Sequence, residues 1–144
     1  MTVNTEALSS IKSYIEAKAS KTKILAVTKN RSVDDITKLL LLGQKLFGEN
    51  KVQEAAQKFN KIQQEKFHNF ELHLIGPLQS NKVKAAIPLF DVFHTLDREK
   101  IAREFSKHLE SLVKKKIFLQ VNTGKEKTKS GIFPEDVKDF LFFL

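Results

Sequence analysis

Five short apolar runs recur along this chain, at 24–29, 46–48, 72–76, 92–96 and 117–121, and amphipathic stretches separate them. Strands that are apolar nearly throughout are buried on both faces, which calls for a parallel sheet joined by right-handed helical crossovers. The fold class is therefore α/β, and two architectures satisfy the pattern. One is an open doubly wound sheet of five strands. The other is a (β/α)8 TIM-type barrel, which typically needs about 250 residues. On that reading a chain of 144 residues is a barrel truncated after about five strands.

Punctuation between the runs supports the alternation. Leu8, Ile11 and Ile15 predict an amphipathic helix over 5–19, and Ser32 with Asp35 forms a capping-box pattern ahead of Ile36, Leu39 and Leu40. Gly43 is placed to end that helix in a left-handed conformation. Val52, Ala55, Ala56, Phe59 and Ile62 predict a third helix whose polar positions are heavily charged and amide-rich. Asp97 reads as an N-cap for a helix carrying Ile101, Phe105, Leu109 and Leu112, and Pro134 fits a first helical turn. The final run, 140–144, has no glycine or polar cap, so the last helix is expected to be interrupted rather than finished. Residues 1–144 read as one domain.

Composition excludes several functions. With no cysteine there is neither a disulfide framework nor a thiolate metal site, and a reducing, cytoplasmic location is expected. No stretch approaches the roughly 18 apolar residues of a membrane span. The net charge of +8 comes almost wholly from lysine, since only Arg31, Arg98 and Arg103 are arginine. Specific nucleic-acid readout relies on the arginine fork and on aromatic stacking, and neither is evident. Weak, salt-sensitive polyanion binding remains open, beside a positive field around an anionic small molecule.

Lys29 closes the first apolar run and delivers an amine to a strand C-terminus, the face where parallel α/β proteins bind ligands. An amine of ordinary pKa, about 10.4, is neutral in only about one molecule in 2,500 at pH 7. Partial dehydration at a strand mouth raises that fraction and creates a nucleophile for carbonyls. A lysine that merely ends a strand and faces water is the plainer alternative.

Four ordered segments decide between them: 25–29 (LAVTK), 47–54 (FGENKVQE), 73–82 (HLIGPLQSNK) and 121–124 (VNTG), continued by the loop through Gly131. Together they resemble the pyridoxal-phosphate homeostasis protein family along nearly the whole chain. The resemblance implies a barrel of the alanine racemase N-terminal type, with pyridoxal 5′-phosphate (PLP) held as a Schiff base on Lys29. It also implies a carrier or regulator of intracellular cofactor pools rather than an enzyme, with PLP-dependent apoenzymes as potential recipients.

Asn50, His73 and Asn122 lie in or just after strands and are expected to flank the cofactor's ring and hydroxyl. Each has a plainer role: an asparagine at a strand end caps turns, and a lone histidine in an apolar run is a satisfied core residue. A racemase-like enzyme is the alternative reading, but it needs a second acid or base, and the only tyrosine is Tyr14 in the opening helix. The family's phosphate cup and terminal Arg motif have no counterpart before Leu144. Weakened cofactor retention, low stability or completion by a C-terminal barrel fragment is therefore expected.

Overall fold

The computed structural model describes residues 3–18, 21–65 and 67–144. Helix α1 (Thr5–Lys18) precedes β1 (Leu25–Val27), α2 (Val33–Leu41), β2 (Leu46–Glu49), α3 (Val52–Gln64) and β3 (Glu71–Leu74). A 3₁₀ turn (Ser80–Lys82) leads into α4 (Val83–Ala86), followed by β4 (Val92–Leu96), α5 (Glu99–Ser106), α6 (Leu109–Leu112) and β5 (Lys116–Leu119). A second 3₁₀ turn (Pro134–Asp136) starts α7 (Val137–Phe143).

All strand pairs are parallel, and the sheet order is β1-β2-β3-β4-β5. A doubly wound sheet reverses its strand order at a switch point. This sheet has no reversal, so that alternative falls away.

Strand residues alternate between two environments. Ala26, Phe47, Leu72, Leu74, Phe93 and Ile117 pack with Ile36, Ala55, Phe59, Ile62 and Ile101 in one helix-covered core. The opposite face carries Val27, Gly48, His73, His94 and Phe118, of which Val27 is 49% and Phe118 51% exposed. On the covered face Phe47, Phe59 and Phe70 form a triad with centroid distances of 5.3–6.3 Å. Burying each large side chain stabilises by about 1.5–3 kcal/mol, which fastens α3 to the sheet.

Local signals act much as their chemistry demands. Ser32 Oγ accepts from the Asp35 N–H at 3.1 Å, and Gly43 takes φ +77° after α2. Three expectations need correction. Asp97 does not cap α5: Arg98 holds the N-cap position, and the Asp97 carboxylate pairs with the Arg98 guanidinium instead. The helix expected to run through Leu112 breaks at His108, whose φ −133° and ψ 30° lie outside the helical region, and Leu109 is left exposed. The opening helix forms but buries none of its residues; the last position expected for it, Ala19, lies outside the described residues.

Candidate functional site

β1 ends at Val27, and Lys29 occupies the corner of a tight turn rather than the strand itself. The Arg31 N–H donates to the Thr28 carbonyl at 3.0 Å and closes the turn. Asn30 takes φ +58° in its third position, where a left-handed residue favours glycine or asparagine. Lys29 is exposed, so the partial dehydration expected at a strand mouth is not present. Thr28, at the start of the same turn, is buried.

Beneath the turn lies a buried polar cluster. Lys58 on α3 is only 7% exposed; its ammonium stands 2.5 Å from Glu49 Oε1 and 2.9 Å from Glu54 Oε1, and donates to the Thr28 carbonyl at 2.8 Å. Thr28 Oγ1 donates to Glu49 at 2.7 Å, and the Asn30 N–H donates to Glu54 at 2.6 Å. The Lys58 hydrogen bond, then the Asn30 N–H, hold the Glu54 carboxyl below the usual carboxylate range. Lys58 is a charged residue that α3 turns inward. Its place between Ala55 and Ile62, at helical spacing, was the available signal.

Asn50 follows β2, half-buried, and its Oδ1 is buried with no hydrogen-bond partner among the described residues. Behind it Gly76 follows β3 so closely that a Cβ there would meet the Asn50 main chain. Between these two strand ends a cleft of ≈470 Å³ is lined by Asn50, Gln53, Pro77, Gln79, Lys82 and Arg98, within the size range of small-molecule sites.

His73 lies one strand over, opposite Gly48 in the β2–β3 register. It is not a lone histidine: its Nδ1 is 2.9 Å from His94 Nε2, one donating and the other accepting according to tautomer. His94 in turn packs against the Phe118 ring, with centroids 5.1 Å apart and the planes tilted by 41°. His73 Nε2 approaches Glu71 Oε1 to 2.9 Å, close enough for ion pairing but without hydrogen-bond geometry. Burial lowers the pKa of both imidazoles; for His73 the Glu71 carboxylate opposes this and His94 adds to it. Among the described residues no cluster of three or more metal-ligating side chains forms.

Asn122 is buried at the start of the loop after β5. Its Nδ2 donates to the carbonyls of Glu126 (2.9 Å) and Lys129 (3.4 Å), and its N–H to Ile132 O (2.8 Å). The amide donor is thus engaged in the turn-capping role that asparagines at strand ends commonly take. Lys29, Asn50 and Asn122 follow the C-terminal ends of β1, β2 and β5, whereas His73 sits inside β3 on the uncovered face. Sequence reasoning missed Glu49, Glu54, Lys58 and His94. The first two stand within the FGENKVQE segment, so their positions, though not their partners, were in view.

By fold and site, the chain is a parallel α/β protein that presents an amine and two amides at the C-terminal edge of its sheet. No family model matches it. Over 121 residues it is 41% identical to the pyridoxal phosphate homeostasis protein of Pasteurella multocida, taking in 83% of this chain and 52% of that protein. The structure of PipY from Synechococcus elongatus without PLP matches with a TM-score of 0.85 at 32% identity, covering 96% of this chain and 62% of that one. PipY with PLP bound matches with a TM-score of 0.80 at 29% identity and the same coverage. The chain spans about half the length of the curated relatives it matches. The resemblance carried by the four motifs is borne out: over most of its length this chain is similar to pyridoxal phosphate homeostasis proteins.

Proposed function

We propose that this chain binds pyridoxal 5′-phosphate through Lys29 and serves cytoplasmic PLP homeostasis as a carrier rather than an enzyme. The observation that carries the reading is the Lys29 amine, exposed at the corner of a turn whose flanking groups are anchored from below. Bound there, the cofactor supplies an aldehyde that condenses with a primary amine. Asn50 offers a buried Oδ1 still lacking a donor, which suits a ligand hydroxyl. His73 and Asn122 complete the proposed contact set, Asn122 through the amide oxygen that its loop bonds leave available. The similarity to PipY with PLP bound supports the choice of ligand.

On this proposal residues 1–144 form a single domain, and the sheet is an arc of a (β/α)8 barrel of the alanine racemase N-terminal type. Its sequential strand order and the apolar side chains on its uncovered face favour that architecture. A C-terminal barrel portion and PLP-dependent apoenzymes are the proposed partners.

Titration with PLP followed by borohydride reduction tests the assignment. A pyridoxyl mass on the Lys29 peptide and its loss in Lys29→Ala are expected. An unchanged absorbance signal in Lys29→Ala would overturn it.

A further inference from the structure

We propose that Glu54 and Lys58 are positioning residues that aim Lys29 by fixing the peptide planes on either side of it. The inference rests on the reading of Lys29 as the attachment amine.

The direction of a Cα–Cβ bond is set by φ and ψ, hence by the two planar peptide units that meet at Cα. On the N-terminal side of Lys29, the Thr28 carbonyl accepts from the Lys58 ammonium at 2.8 Å and from the Arg31 N–H at 3.0 Å. Both lone pairs of that oxygen are engaged. On the C-terminal side, the Asn30 N–H donates to Glu54 at 2.6 Å, which also supports the φ of +58° at Asn30. Each plane is thereby tied to α3, where Glu54 and Lys58 stand one turn apart and bond each other at 2.9 Å. The Lys29 side chain itself stays exposed. Its root is fixed while its amine remains accessible.

Stability alone does not require this arrangement. A buried ammonium and carboxylate are costly to desolvate, and apolar residues of similar volume are often as stable or more so. Lys58 occupies a position in the apolar stripe of α3, between Ala55 and Ile62, where leucine or methionine would serve packing. What an apolar side chain cannot supply is a donor to the Thr28 carbonyl.

The test uses the full chain with PLP. It follows the rate of borohydride-trapped adduct on Lys29 and the induced circular dichroism of the trapped pyridoxyl group, per adduct, with far-UV dichroism confirming the native fold. The dichroic band reports a fixed orientation. Glu54→Ala removes the acceptor for Asn30, so trapping is expected to slow on the order of tenfold, within what a misplacement below 1 Å can cost, and the band to collapse. Glu54→Gln keeps an oxygen for the Asn30 N–H and is expected to restore both. The neutral pair Glu49→Gln with Lys58→Met, which frees the Thr28 carbonyl without leaving a fully buried charge unpaired, is expected to behave like Glu54→Ala. A band and rate in Glu54→Ala equal to those of the unaltered chain would overturn the inference alone, as would equal impairment of the Ala and Gln variants. Absence of adduct on Lys29 in the unaltered chain would overturn the cofactor reading and the inference with it.

Discussion

Gly76 stands directly against Asn50: a Cβ at Gly76 would lie 2.2 Å from the Asn50 carbonyl oxygen and 2.6 Å from its Cα. Neither atom belongs to a flexible side chain, so Gly76→Ala must push the ends of β2 and β3 apart. A destabilisation of about 1–3 kcal/mol is expected, the usual result of forcing bulk into a packed site. Gly124→Ala is the control, because its nearest neighbour would be the Glu126 side chain at 3.5 Å. Urea unfolding of the two variants checks this; equal midpoints would show that the contact relaxes freely.

Acid is expected to weaken the fold through His73 and His94. Burial holds both imidazoles below their ordinary value of 6.5, so the unfolded chain takes up protons that the native chain refuses. The stability they contribute is present above that value and is lost as pH falls below it through the folded pKa values. Glu71 and Asp91 moderate the loss at His73 by favouring its cation. Thermal melts from about pH 7.5 down to about pH 5.5 should fall more steeply for the natural chain than for a His73→Gln, His94→Gln variant. Parallel slopes would contradict the assignment.

Removing one partner of a buried ion pair leaves the other stranded. Glu49 is fully buried, so Lys58→Met is expected to cost about 3–5 kcal/mol. Adding Glu49→Gln removes the stranded charge and keeps an acceptor for the Thr28 hydroxyl, so most of the loss should return. Denaturant melts of the single and double variants form the check. A double variant no more stable than Lys58→Met would refute this account.

The loop after β5 depends on one side chain. Asn122→Ala deletes the donor to Glu126 and Lys129, at a cost of about 1 kcal/mol. Trypsin should then cut faster at Lys125, Lys127 and Lys129, all exposed. Unchanged cleavage would mean the loop is held by its main chain alone.

Features governed by near neighbours were legible in the sequence. Ser32 bonds three residues ahead, Gly43 turns the chain where it stands, and Val92–Leu96 forms the strand its apolar run requires. Features governed by register were hidden. His73 meets His94 only because β3 and β4 pair with His73 opposite Val92, a fact no local pattern carries. Lys58 was missed for a different reason. Its spacing marked it as buried, but a charge is accepted in a core only when partners exist, and Glu49 and the Thr28 carbonyl lie on other strand ends. Lys29 was found at a strand mouth, yet its exposure follows from the turn beyond Val27, which residue type alone does not reveal.

The strand order has a consequence for biogenesis. Each strand hydrogen-bonds to the one made just before it, so a chain emerging from the ribosome always meets a finished template for its next strand. A doubly wound sheet must instead leave one edge open until later strands return to it. Here every new βα unit extends the same edge of the sheet, so its strand order permits assembly in the direction of synthesis.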